Sequence, residues 1–466
     1  MRRRLGILVP DPRARGEESG ASLLPCEFGM KTFSFRARGN CPAGGNEGRC
    51  AMRRREFLKA TGAAATYRLL SGYRRADARS KIEMEQLEEA ARKPVLKREY
   101  FPDPVVIQSA ELLENGGEYV VRVRARGGAE GYAVSNSDHM GRLYPILTQM
   151  VFPFIMGRDA RDLEGIVDGV YHYDSYYKYQ GLAFWVCVAS AEFAILDLLG
   201  RIVQKPVGEL VGEIYRREIA LYRANNSRGL PAEETVELIR KDVEEIGARA
   251  AKYKLGGRMG NPEYPPGRSE KLIHLVRKVL GDEIVLYADA NGSYDVREAI
   301  RIGRMLEETR HSFFEEPCPF DHYGWTKQVA DALSIPIAGG EQDSSLWLFQ
   351  WMIAEDVLQV VQPDLFYFGG FVRCIRVARM AQVAGIPCTP HITGAGLGYL
   401  YVLHFASCIP NPGPYQEFKG VNRKIPFECT TSDLEAKEGV VKVPTGPGWG
   451  IDLDPKFLEK ARRIHA

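Results

Sequence analysis

Three acidic residues at even spacing constrain this chain more than any other feature. Asp289 closes the run VLYADANG, Glu315 lies in FFEEP and Glu341 in PIAGGE, each at the end of a short apolar stretch. Successive members are 26 residues apart. A strand, a helix and two short loops take about that length in a barrel. A lone acid at a strand end is ordinarily a helix cap or a surface group. Three of them one βα unit apart, each at the C-terminal end of a strand, converge on one mouth of a barrel. Gathered carboxylate oxygens suit a hard divalent cation, Mg²⁺ first and Mn²⁺ as a substitute. Upstream, Lys252-Tyr253-Lys254 ends another apolar segment, and downstream Asp364 and His391 stand in the same strand-end context. The pattern is a metal site flanked by candidate bases.

The remainder of the 466 residues leaves room for a second domain. A net charge of +2 gives no general attraction to nucleic acid or membrane surfaces. The nine cysteines are scattered, with no CxxC pair, and are expected to be mostly buried thiols. No uninterrupted apolar run approaches the roughly 20 residues of a membrane span.

Residues 1–51, rich in Arg, Gly and Pro without periodicity, read as disordered or as preceding a start at Met52. The segment from Met52 to Lys59, MRRREFLK, fits the twin-arginine export pattern. An apolar run and the A-x-A-like Ala76-Asp77-Ala78 follow, so residues 52–79 are expected to be a signal that directs the protein to the periplasm. A basic helix on a cytoplasmic protein is the alternative. Residues 80–97 read as a charged helical linker.

Residues 98–215 read as an α+β unit. Alternation in VVIQSAELLENGGEYVVRVRARGG, broken by Asn115-Gly116-Gly117, predicts a hairpin. Helices are expected at 143–156, 160–170 and 184–199. From residue 216 strand and helix alternate, with strands expected near 218–223, 250–255, 284–289, 312–315, 336–341, 358–362, 386–391 and 414–417. That rhythm implies an α/β fold with a parallel sheet, and eight strands favour a closed barrel. No GxGxxG follows a strand, which argues against a dinucleotide fold.

Taken together, SAEFAILDLLGRIVQKPVGELVG, KYKLGG, ADANGSY, FFEEP, IPIAGGEQ, QPDLFYFGG, GIPCTPHITG and YQEF resemble the enolase superfamily, over about residues 100–455. The closest likeness is to its mandelate racemase-like group, which includes acid-sugar dehydratases. The resemblance implies a modified (β/α)7β TIM-type barrel over 216–417. It also implies a capping domain, built from 98–215 and completed by 418–466. It implies removal of a proton α to a carboxylate, through an enediolate, with one Mg²⁺ per subunit. By position, Asp289, Glu315 and Glu341 are implied as metal ligands, with Glu316 beside them. Lys254 is implied as the base on one face with Lys252 as its helper, and His391 with Asp364 as the dyad on the other. Asn291 matches a polar residue next to metal and substrate, and Glu417 one that hydrogen-bonds the substrate carboxylate. Members are often dimers or octamers, so a homo-oligomer is expected.

The chemistry explains these residue types. Removing such a proton adds a second negative charge to an anion, and a dication with one or two lysines stabilises it. A lysine base must be neutral, and positive neighbours favour that. A histidine base needs its ring fixed, which an aspartate on the other nitrogen provides. If both groups exchange the α-proton the outcome is racemisation or epimerisation; if one protonates a β-hydroxyl instead, the outcome is dehydration. Gln362-Pro363-Asp364 carries no lysine, which argues against the muconate-cycloisomerase type. The polar loop SNSDHMGR, with His139, and Asn225-Asn226 after the first barrel strand favour a polyhydroxylated acid, with His139 and Asn225 as candidate contacts. The expected activity is a hydro-lyase acting on an aldonate or aldarate to give a 2-keto-3-deoxy acid, with a racemase or epimerase as the alternative. The partner is then a small-molecule carboxylate.

Overall fold

The structure, a computed structural model, describes residues 82–464 apart from 394, 395, 421 and 422. The segments 1–51 and 52–79, and with them the expected export signal, lie outside the described residues.

The alternating segment forms an antiparallel meander of β1 (Ile107–Asn115), β2 (Glu118–Ala125) and β3 (Glu130–Val134). Gly116 and Gly117 turn the hairpin at φ of 63° and 84°, angles that a side chain would resist. At the far end of the chain, Arg462–Ile464 pairs with β1, opposite Leu112 to Glu114. The first helical stretch starts earlier than expected, as Ser137–Ile146, and runs on through a wide turn at Leu147–Val151 to Ile155.

Helix Leu182–Val203 packs on β2 and β3. At 22 residues and a mean hydropathy of 1.9 it is long and apolar enough to cross a membrane, a property that the residue-run reading missed because Glu192 and Asp197 interrupt it. Here it is interior, buried from Phe184 to Gly200. Asp197 ties three parts of the fold: it accepts from Tyr132 N (2.8 Å), Arg201 Nε (2.7 Å) and Trp449 N (2.9 Å).

Residues 80–97, read as a linker, contain a docked helix. Met84–Arg92 buries Leu87, Ala90 and Ala91, which share one helical face, against helices Phe371–Val383 and Leu346–Ala354. Gln350 Nε2 donates to Met84 O at 2.9 Å and Arg379 to Pro94 O at 2.9 Å.

The barrel follows the expected alternation. Strands β4 (Glu218–Ala224), β5 (Ala250–Lys254), β6 (Val285–Asp289), β7 (Phe313–Glu315), β8 (Ile337–Gly339) and β9 (Val360–Val361) pair in order, all parallel. Strand β10 (Gln416–Phe418) pairs with β4. The strand expected at 386–391 is reduced to single bridges, Cys388 to Val361 and to Pro412, and His391 to Asp364, which carry the ring between β9 and β10. Pro387 and Pro390 remove two amide donors from that segment, so a continuous ladder cannot form. Helices cover the outside; Val296–Glu308, for example, is capped by Asp295 accepting from Glu298 N (2.8 Å) and buries Ala299, Ile302 and Leu306 at helical spacing.

Tyr222, Tyr287, Phe313, Val360 and Tyr415 plug the barrel interior, with Tyr287 stacked on Phe313 at 4.0 Å. An 880 Å³ cavity opens beyond the N-terminal strand ends, lined by Glu218, Arg249 and Tyr415. The carboxylate triad is at the opposite mouth.

Candidate active site

Alternation along β5 sends Lys252 and Lys254 to one side of the sheet and Tyr253 to the other, where the Tyr253 hydroxyl meets His311 Nε2 at 2.8 Å. Lys254 is in register with Asp289 on β6, and Asp289 with Glu315 on β7. Three neighbouring strands thus end on three charged groups at one height. Glu341 follows β8 by two residues and completes the set. The ligand oxygens of Asp289, Glu315 and Glu341 all lie within 4.8 Å of one another, and all three side chains are buried.

The two lysines are bound into this cluster. Lys252 Nζ lies 2.7 and 2.9 Å from the two Glu315 oxygens and 3.2 Å from Glu417 Oε1. Lys254 Nζ donates to Asp289 Oδ2. Burial disfavours the Lys252 ammonium, but Glu315 and Glu417 outweigh it and hold its pKa well above the ordinary value. Lys252 is therefore a fixed positive charge. Burial and the Asp289 charge push Glu315 up to about 8 in spite of Lys252. Burial, then Glu341 and Asp289, lift Glu316 well above the carboxylate range. Burial acts the same way on Asp289, Glu341 and Glu417, yet Lys254, His391 and Lys252 respectively bring these three below their ordinary values.

Four cations, Lys252, Lys254, Arg228 and Lys419, face six carboxyls, Asp289, Glu315, Glu316, Glu341, Asp364 and Glu417. Together with burial, this excess of acids is what lifts Glu315 and Glu316. Glu341 Oε2 and Glu316 Oε1 are buried without a hydrogen-bond partner among the described residues. A hard dication held by Asp289, Glu315 and Glu341 would take the unpaired Glu341 oxygen and offset the excess of acids, so the residues present fit Mg²⁺.

The other side of the site is built by side chains. Asp364 Oδ1 accepts from Phe366 N and Tyr367 N, both at 2.7 Å, and Oδ2 lies 2.6 Å from His391 Nδ1. That geometry places the ring proton on Nδ1 and turns Nε2 toward Glu341 (3.4 Å) and Glu417 (3.5 Å). Burial opposes the charged ring, but Glu341 outweighs it and raises the His391 pKa above its ordinary value, with Lys419 pulling the other way.

Asn291 joins the halves. Its backbone N–H donates to Asp289 Oδ1 (2.8 Å), and Nδ2 to Glu316 Oε2 (3.1 Å) and Glu341 Oε1 (3.3 Å). Asn291 and Glu316 both adopt φ of 42°, a strained angle for such residues that is found where a site demands it. His139 reaches the site indirectly: Nε2 meets the Tyr367 hydroxyl at 2.8 Å, which also meets Thr393 Oγ1 at 2.6 Å. Asn225 is not brought to the carboxylates; its side chain donates to Asp242 (2.7 Å) and accepts from Ser227 N (3.0 Å).

Two groups here were not anticipated. Lys419 Nζ lies 3.1 Å from His391 Nε2, 3.3 Å from Glu417 Oε2 and 2.9 Å from Ile392 O. Arg228 donates to Asn291 Oδ1 at 2.8 Å. Lys419 was within reach of inspection, because it follows Glu417 by two residues and so shares its side of an extended strand. Arg228 lies in a loop and carried no signal.

Residues 234–457 match the family model described as enolase C-terminal domain-like. The chain is 25% identical over 324 residues to arabinonate dehydratase of Saccharolobus solfataricus, covering 67% of this chain and 82% of the relative. It is 26% identical over 322 residues to D-galactarolactone cycloisomerase of Agrobacterium fabrum, covering 66% and 82%. A crystal structure from Roseobacter denitrificans, described as a candidate racemase, superposes with a TM-score of 0.72 at 33% identity, over 77% of this chain and 99% of that one. A mandelate racemase/muconate lactonizing protein from Paracoccus denitrificans, solved with magnesium, gives a TM-score of 0.70 at 26% identity, over 78% and 99%.

Proposed function

Because the chain belongs to the enolase superfamily, in its mandelate racemase-like group, we propose that it is a Mg²⁺-dependent dehydratase converting an acid sugar to a 2-keto-3-deoxy acid. The observation that carries this reading is the meeting of two acid/base groups on one carboxylate triad. Lys254 contacts Asp289 from β5, and His391 contacts Glu341 from beyond β9, with the triad's strands between them. When bound, the dication supplies positive charge that stabilises the second negative charge as the α-proton leaves.

The chain's own residues supply the rest. Lys252 is a fixed cation for the substrate carboxylate. Glu417, ionised between Lys252 and Lys419, orients those two ammonium groups for that carboxylate. One of Lys254 Nζ and His391 Nε2 removes the α-proton. The other gives a proton to the β-hydroxyl, which leaves as water when the C–O bond breaks. The resulting enol then tautomerises to the ketone. The same two groups support racemisation of a 2-hydroxy acid, the second reading, which the Roseobacter structure's description favours.

The test is to incubate the Mg²⁺-loaded protein in D₂O with a panel of aldonates, aldarates and a sugar lactone. A 2-keto product trapped by semicarbazide supports dehydration. Deuterium at C2 of recovered acid without keto product supports the racemase reading. Isomerisation of the lactone alone, or no reaction on any member, overturns the proposal.

A further inference from the structure

His391 acts through Nε2, and in the free protein that nitrogen is occupied. Lys419 Nζ lies 2.9 Å from Ile392 O, 3.1 Å from His391 Nε2 and 3.3 Å from Glu417 Oε2. An ammonium has three hydrogens and no lone pair, so these three acceptors take all of them. Nε2 is therefore the acceptor in its contact with Lys419, which agrees with a ring proton on Nδ1, 2.6 Å from Asp364. The other two groups near Nε2, Glu341 Oε2 at 3.4 Å and Glu417 Oε2 at 3.5 Å, are carboxylate oxygens. Lys419 is thus the donor to this nitrogen among the described residues.

An unprotonated ring nitrogen has one lone pair, in the plane of the ring. While Lys419 holds it, Nε2 can neither take an α-proton nor carry a proton to a β-hydroxyl. The contact is not sealed: the Lys419 and His391 side chains are 16% and 10% exposed. Nor is Lys419 fixed by Nε2 alone, since Ile392 O and Glu417 hold its other two hydrogens. Glu417 Oε1 lies 3.2 Å from Lys252 Nζ, so one carboxylate sets two ammonium groups side by side. A substrate carboxylate arriving there offers Lys419 an opposite charge as well as an acceptor, and the neutral imidazole offers only the acceptor.

We propose that Lys419 is a latch on His391. It caps Nε2 in the free protein, and the substrate carboxylate draws its third N–H away, which frees the lone pair once an acid is bound. No covalent bond changes in this step; one hydrogen bond is exchanged for another. Lys419 is a positioning residue, because it acts on the reaction through His391, and it couples recognition of the carboxylate to the readiness of that flank. The inference rests on the acid-sugar reading of the same site.

The test uses the full chain, Mg²⁺-loaded and labelled with ¹⁵N-histidine, as wild type, Lys419→Met and Lys419→Arg, with His391→Asn to assign the resonance. With no acid added, Lys419→Met is expected to move the His391 Nε2 resonance downfield, toward that of a ring nitrogen without a donor. Lys419→Arg, which keeps a charged donor, is expected to hold it nearer the wild-type position. On the member of the acid panel that the wild type turns over, Lys419→Met is expected to lose about tenfold in kcat/KM, the larger part of it in KM, because the lost contact is to the carboxylate and the lone pair is already free. An unmoved resonance, or a loss carried mainly by kcat in a variant that unfolds at the wild-type temperature, overturns the latch and leaves the dehydratase reading intact. A wild type inert on every acid overturns that reading, and the latch with it.

Discussion

The two flanks of the carboxylate triad are held in place by different means. On the Lys254 side the backbone does it: Lys254, Asp289 and Glu315 end consecutive strands in register. On the His391 side the described residues form no ladder, only single bridges and a chain of side-chain contacts. Asp364 spends one oxygen on two backbone amides and the other on the imidazole. Behind it Glu192, fully buried, accepts from Val372 N (2.8 Å) at the start of helix Phe371–Val383. Gly370 makes this approach possible, since a Cβ there would lie 1.4 Å from Glu192 Oε2. One flank is therefore set by sheet geometry and the other by buried polar groups, which are easier to perturb and respond to pH.

Substitutions can break this contrast at several levels. Lys254→Ala and His391→Asn should each lower kcat by about 10³-fold or more with Mg²⁺ content near normal, measured by steady-state kinetics and metal analysis. Full activity in Lys254→Ala would remove the base from that flank. Asp364→Asn should cost roughly 10²–10³-fold, because the ring loses its acceptor on Nδ1. Combining it with His391→Asn should add little, as expected of groups that act as a unit. Glu315→Gln should instead weaken Mg²⁺ affinity by about 100-fold, read by calorimetric titration. Lys419→Met should change kcat/KM by about tenfold, since it removes a cation from both His391 and Glu417.

The smallest effect concerns stability. Burial lifts the Glu192 carboxyl from 4.5 to about 8, against the pull of the Val372 and Phe371 amides. A folded pKa above the unfolded one gives a stabilising contribution that is full below about pH 4.5 and is lost as pH rises to about 8. Urea midpoints at about pH 5 and pH 8 should fall further in the wild type than in Glu192→Gln. An identical fall in both would show that Glu192 carries none of it.

The same contrast explains what could be read without coordinates. Where the backbone sets the site, spacing sufficed: the interval from Asp289 to Glu315 to Glu341 is one βα unit, and Lys252 and Lys254 share a side because strands alternate. Where side chains set it, spacing was a poorer guide. His391 was expected at the end of a full strand, which Pro387 and Pro390 prevent. Asn225 was chosen as a contact because it follows the first barrel strand, yet its amide is taken by Asp242. Arg228 owes its place to a loop that no local pattern encodes, whereas Lys419, two residues after Glu417, was open to the same alternation rule. The helix at Met84–Arg92 was expected, but its docking was hidden by its charge, although Leu87, Ala90 and Ala91 give it one apolar face.

The central claim is that two groups on the two flanks act on one substrate, one on its α-proton and the other on its β-hydroxyl. Its most direct test is NMR of the C2 proton of the substrate acid in D₂O with Lys254→Ala and His391→Asn. The account predicts that neither variant makes keto product at a wild-type rate, that one still exchanges the C2 proton, and that the other does not. Keto product at the wild-type rate in either variant, or the same exchange behaviour in both, would contradict it.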